Sequence, residues 1–185
     1  GYYGRIIHKM RKEKFRISRA LLVVALLTMP ALATTVRKMD LPQLIKAADN
    51  IVQGRVDSVE TRWEGNLAYT YVSVSVDDPL KGARRRAVVI RQVGGKVGSL
   101  HVTVSGMPKF HDGEQVILFL KGRQDGMFDV VGLNQGKYQI VDDFAVANVS
   151  GVTLVDQRTG QWTDGGFVQK APIEAFKTKI RELLK

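Results

Sequence analysis

Apolar residues in this chain recur at two spacings, and the change from one to the other marks its elements. Leu41, Leu44, Ile45 and Ala48 fall at i, i+3, i+4 and i+7, the single stripe of an amphipathic helix over 41–49. Asp40 is positioned to accept from the free N–H groups of the first turn, and Gln43 completes a capping-box pattern. Pro42 is tolerated there because a first-turn residue has no intrahelical N–H bond to lose. Beyond Asn50 the spacing drops to two. Ile51 to Trp63 reads as a strand whose apolar parity changes midway, which predicts a bulge near Asp57-Ser58, and Gly54 suggests tight curvature. Glu64-Gly65-Asn66 is a hairpin turn. Val72, Val74 and Val76 then alternate with Tyr69, Tyr71, Ser73 and Ser75 in a half-buried strand that Asp77-Asp78-Pro79 is expected to stop.

Further strands are expected over Ala87 to Val93, His101 to Ser105, Gln115 to Lys121, Phe128 to Leu133 and Tyr138 to Val141, with two more at about 144–149 and 152–156. Val116-Ile117-Leu118-Phe119-Leu120 is apolar on both parities and belongs in the centre of a sheet. Gly94 to Gly98 reads as a mobile loop, Asp125-Gly126 as a hairpin, and Asp164-Gly165-Gly166 as a turn leading directly to a final helix. That helix, over 171–185, carries Ile173, Phe176, Ile180, Leu183 and Leu184 as an apolar stripe. Short, closely spaced strands with glycine bends predict a mainly β domain, a small closed barrel or sandwich flanked by an N-terminal and a C-terminal helix.

The first 33 residues look different. Residues 1–9 read as upstream or overcalled sequence. From Met10 a basic stretch precedes the apolar run Ala20 to Leu27, Pro30 breaks it, and Ala31-Leu32-Ala33 supplies small residues at −3 and −1. This is the form of a secretory signal peptide over 10–33, with cleavage expected after Ala33. The run is short of the ~20 apolar residues of a membrane span. The expected product is therefore secreted or periplasmic, without a stable membrane anchor. The domain would run over 34–170, closed by the 171–185 helix.

Composition changes the picture only once it is located. The chain of 185 residues has 28 Lys plus Arg, 18 Asp plus Glu and a formal charge of +10. Residues 1–33 hold seven of the basic groups and one acid, which leaves 21 against 17 in the remainder. A domain so mildly basic does not demand a polyanion. With no cysteine there is no disulfide and no thiolate zinc site.

Candidate chemistry is sparse. His101, His111, Asp112 and Glu114 are the ligand-capable cluster, but their placement reads as surface turns, and no metal or cofactor is expected. Ser105-Gly106 lacks the preceding glycine of a nucleophile elbow. Gly94 to Ser99 shares only composition with a phosphate loop, and Asp77-Asp78 and Asp142-Asp143 lack the spacing of a calcium loop. Asn148-Val149-Ser150 is a glycosylation sequon in a eukaryotic host. No catalytic constellation emerges, so the expectation is a non-enzyme.

Ala48-Asp49-Asn50-Ile51-Val52-Gln53-Gly54-Arg55-Val56, the strand ending Asp78-Pro79-Leu80-Lys81-Gly82, and Gly113-Glu114-Gln115-Val116-Ile117-Leu118-Phe119 follow in order. This succession, over about residues 40–141, resembles the netrin-type module, the oligonucleotide/oligosaccharide-binding (OB) barrel of tissue inhibitors of metalloproteinases. It is also similar to uncharacterised exported bacterial proteins of the same pattern. The resemblance implies an OB-like barrel, secretion and protein binding, with a secreted protease among the partners it suggests. Those inhibitors chelate the protease zinc through an amino-terminal cysteine. This chain has none, so no site residue carries over.

The expected function is an exported binding module whose partner is an extracytoplasmic protein. The alternative is a carbohydrate or single-stranded nucleic-acid binder, since OB barrels stack ligands on aromatics beside basic loops. Tyr69, Tyr71, Arg84, Arg85 and Arg86 are the surface residues that fit that role. Against it stands the plain reading of tyrosine as an ordinary strand residue and of three arginines as a solvated turn. The final helix must cover its own stripe, and the tyrosine face is the expected dock.

Overall fold

The structure, a computed structural model, describes residues 35–150 and 152–185. The expectations for residues 1–9, the signal peptide over 10–33 and its cleavage after Ala33 lie outside the described residues.

The first helix, α1 (Leu41–Ala47), starts as its sequence requires. Asp40 Oδ1 accepts from the Gln43 N–H at 2.9 Å, and Gln43 Oε1 accepts from the Asp40 N–H at 2.9 Å. Both arms of the capping box are closed. At the other end Lys81 Nζ donates to the carbonyls of Ile45 and Ala48 at 2.7 and 2.6 Å. A cation is placed there against carbonyls that have no helical partner and at the negative end of the helix dipole.

Among the described residues thirteen strands form: β1 (Thr35–Arg37), β2 (Asn50–Glu64), β3 (Leu67–Lys81), β4 (Ala87–Val93), β5 (Gly95–Val97), β6 (Leu100–Val102), β7 (Gln115–Gly122), β8 (Phe128–Val130), β9 (Lys137–Val141), β10 (Phe144–Val149), β11 (Thr153–Val155), β12 (Trp162–Asp164) and β13 (Phe167–Pro172). The C-terminal helix is α2 (Ile173–Leu183). The largest sheet has the order β13-β10-β9-β7-β2-β3-β4-β8, and β7 also pairs with β8. Small sheets β1-β11-β12 and β5-β6 stand beside it. The protein is mainly β with a helix at its C-terminal end.

The β2–β3 ladder slips between Ile51/Val52, Gln53/Gly54 and Val56/Ser58, the last where the change of parity predicts a bulge. Gly54 is required at its slip, because an added Cβ would run into the Ser75 carbonyl oxygen.

Strand β7 shows why its run is apolar on both parities. Val116, Leu118 and Leu120 join Val52, Val56, Val72, Val74 and Ile90 in one core. Ile117 and Phe119 face the other way into a second core with Leu44, Ile45, Ile51, Tyr138, Phe176 and Ile180. All five are fully buried. The helices cover this second face. Phe176 meets Tyr138 at 4.5 Å and Phe119 at 6.5 Å between ring centroids, and Asp78 of β3 holds Lys177 at 2.8 Å and Arg181 at 2.9 Å.

Five expectations are corrected. The final helix docks on β7, β9, β10 and α1, away from Tyr69 and Tyr71, because that face offers the aromatic and aliphatic partners. Its stripe is only partly covered: Ile173 is half-buried, and Leu183 and Leu184 are exposed. Asp77-Asp78-Pro79 does not end β3. The β4 ladder stops at Ser75, so a residue without an N–H breaks no bond on that side. Gly94 to Gly98 is not simply a loop, since β5 pairs with β6. There Gly95 (φ 129°) lies so close to Thr61 and Thr70 that no side chain fits. Finally, β12 and β13 occupy the stretch expected to turn directly into the helix, and β13 pairs with β10 along its whole length.

Candidate functional site

Beyond Val56, β2 pairs with β3 alone among the described residues, so the outer edge of β2 is free there while β3 stays paired with β4. Cross-strand register sets Arg62 opposite Tyr69, Glu60 opposite Tyr71, and Tyr71 opposite Arg91 of β4. These side chains share one face, and Arg62, Tyr69, Tyr71 and Arg91 pair with one another and with Glu64. The Arg91 guanidinium lies 3.8 Å over the Tyr69 ring, and Arg62 lies 4.1 Å over Tyr71. The Tyr71 hydroxyl donates to Glu64 Oε1 and accepts from Arg91 Nε at 3.0 Å, and Arg91 reaches Glu64 Oε2 at 2.6 Å. The Tyr71 hydroxyl and Arg91 hold the Glu64 carboxyl below its usual range. Glu64 and Tyr71 in turn raise the Arg91 guanidinium above its own. Both rings are thus roofed by guanidinium groups. At the hairpin tip Trp63 is 43% exposed and Leu67 50%.

Arg84, Arg85 and Arg86 are exposed in the β3–β4 loop, and Arg85 lies 5.4 Å over the Phe128 ring. They do not extend the tyrosine surface. Val76 bonds the Arg86 carbonyl, whereas Tyr71 pairs with Arg91. Five strand positions, about 17 Å, separate the two. The expected five-residue surface is two separate places on β3. The residues that do accompany the tyrosines are Arg62, Glu64 and Arg91, which the sequence reading did not single out; their shared strand parity with the tyrosines across β2, β3 and β4 is the signal that could have found them.

His101, on β6, is exposed and paired in register with Lys96, away from His111. His111 and Asp112 are exposed, as turn residues should be, but Glu114 is not. Its side chain is 3% exposed, Oε1 holds Lys137 Nζ at 2.6 Å, and Oε2 accepts from the His111 N–H at 3.1 Å. Lys137 also donates to the Lys109 carbonyl and lies 4.6 Å over the Phe110 ring. Burial pushes the Lys137 ammonium below the usual lysine range, and Glu114 opposes that shift. A buried carboxylate persists only when paired and hydrogen-bonded, and this one is. Among the described residues no three His, Asp or Glu side chains gather as a metal site.

The Glu114–Lys137 pair lies at a cleft of about 570 Å³ between the 103–111 segment and one face of β9, β10 and β13. Strand parity builds that face: Tyr138 and Ala147 point to the helices, so Lys137, Gln139, Val146 and Asn148 point away from them. At one end Asn134 Nδ2 donates to the Ser150 carbonyl at 2.8 Å, while its side-chain oxygen is buried without a partner among the described residues. The preceding Leu133 holds a left-handed backbone, φ 59°, which is strained for leucine.

Sequence reading missed this cleft because its walls come from segments far apart in the chain. Among the described residues no helix is long and apolar enough to cross a membrane. No model of a known protein family matches the chain, and no curated protein is found to be similar to it.

Proposed function

We propose that the chain is an exported, non-enzymatic binding module, built on an OB barrel, that engages another extracytoplasmic protein through the distal β2–β3 hairpin. The barrel reading is supported by the pairing order β2-β3-β4-β8-β7 returning to β2, with β4 and β8 parallel and the rest antiparallel. Export is supported by the basic, apolar and small-residue succession over 10–33.

The observation that carries the binding reading is the composition of the hairpin's far half. Arg62, Leu67, Tyr69, Tyr71 and Arg91 share one face there with Leu67 exposed at the tip, and the exposed Trp63, paired with Ala68, stands on the other face of the same hairpin end. Tryptophan, tyrosine and arginine are the residues that dominate protein interfaces energetically. Because Arg62 and Arg91 already occupy the faces of Tyr71 and Tyr69, the surface favours a protein over a stacked base or sugar.

A photo-crosslinking amino acid placed at Leu67, and at Lys179 of α2 as a control, tests this in the producing organism. The expected result is one defined protein crosslinked from position 67, not from 179, and lost on Trp63→Ala. Absence of a position-specific protein crosslink, or tight binding of an oligosaccharide or single-stranded oligonucleotide that Trp63→Ala abolishes, would overturn it.

A further inference from the structure

The cleft beside β9, β10 and β13 has a chemistry of its own. Its buried charges cancel, since Glu114 and Lys137 satisfy each other. Glu114 is the one carboxylate among its lining residues, so Lys109 is left at the rim without an acidic counterpart in the cleft. The carboxamides of Gln139 and Asn148 are exposed and have no partner among the described residues. Among the described residues no Phe, Tyr or Trp lines the cleft, His111 is its one ring of aromatic character, and its apolar wall is aliphatic: Met107, Pro108, Val146 and Val168, the last 62% exposed.

We propose that this cleft binds an extended peptide segment carrying a carboxylate. Register fixes the spacing of the two carboxamides. Gln139 stands opposite Val146, and Asn148 lies two residues further along the same face, which sets them about 7–8 Å apart. An extended peptide repeats its same-side main-chain groups every two residues, at about 6.6–6.8 Å, so consecutive groups meet consecutive carboxamides. Each carboxamide both donates and accepts, as a peptide unit does. The aliphatic wall takes small apolar side chains, and Lys109 takes the carboxylate. A sugar would find no Phe, Tyr or Trp ring to stack on, only the exposed His111 imidazole. The volume, about 570 Å³, lies in the range of small-ligand sites. The strained Leu133 and the unpartnered Asn134 oxygen sit at one end of the cleft, and such features gather at ligand sites. This inference stands apart from the hairpin surface, and either can fail alone.

Affinity selection of a random library of N-acetylated hexapeptides on the purified protein, followed by NMR titration of an enriched peptide, tests it. Enriched peptides should carry Asp, Glu or a free terminal carboxylate, and titration should move the side-chain amide signals of Gln139 and Asn148. Lys109→Ala should weaken binding about tenfold, as loss of a charge-assisted contact does. The double variant Gln139→Ala/Asn148→Ala should abolish binding with an unchanged melting temperature, both residues being exposed. No enriched peptide, a peptide that binds the double variant as well as the parent, or a glycan that moves those amide signals where peptides do not, would overturn the proposal.

Discussion

Phe176→Ala removes the ring by which α2 is anchored. In the folded protein this side chain is buried, 8% exposed, against Tyr138 at 4.5 Å and Phe119 at 6.5 Å. Truncating a buried phenylalanine costs about 3–5 kcal/mol, the sum of lost transfer energy and the cavity left behind. The upper part of that range is expected here, because two ring–ring contacts go as well and such pairs add about 0.5–1.5 kcal/mol each. The walls of the hole are strand residues of β7 and β9, which cannot collapse without disturbing their ladders. For a domain of this size each kcal/mol lowers the melting temperature by about 2–4 °C, so a loss of about 4–5 kcal/mol should lower it by about 8–20 °C. Circular dichroism melting of the parent, Phe176→Ala and Phe176→Leu measures it, with the leucine variant intermediate. Tyr71→Ala belongs to the opposite case. It shares no partner with Phe176, so the two effects should add within about 0.5 kcal/mol. A Phe176→Ala protein that melts with the parent, or strong coupling between the two substitutions, would refute the placement of α2.

Three further outcomes are expected. Glu114→Ala strands the buried Lys137 ammonium and should destabilise by about 3–5 kcal/mol in urea titration, whereas Glu114→Leu combined with Lys137→Met should recover most of that loss. Burial raises the Tyr138 hydroxyl to about 12 from its ordinary 10, so the neutral form is favoured in the fold. Its stabilisation is complete below pH 10 and is lost between pH 10 and 12, so in melting against pH Tyr138→Phe should decline less over that window than the parent. Mass spectrometry of the exported protein should find a chain that begins at Thr34, and an intact leader retained in membranes would refute the signal-peptide reading.

Local pattern was enough for whatever depends on neighbours in the chain. Asp40 and Gln43 are three residues apart, so the start of α1 was legible, and the bulge after Val56 was written in a change of parity. Val116 to Leu120 announced that β7 is covered on both sides, though not by what. The missing information is of one kind. Periodicity states which face of an element is apolar, but it does not say which other face will meet it. The stripe of α2 could have covered any apolar surface, and Phe119 and Tyr138 decided the matter. Glu114 looked like a turn residue because Lys137, 23 positions away, is what makes its burial tolerable. Tyr69 and Tyr71 looked open because Arg91, 20 positions beyond Tyr71, arrives only when β4 pairs with β3. Asp78 looked like the end of a strand because Arg181 lies 103 residues on. The energies of burial, ion pairing and ring contact are set by distances in space, and in a sheet built from long-range pairings those distances exist only after the chain has folded.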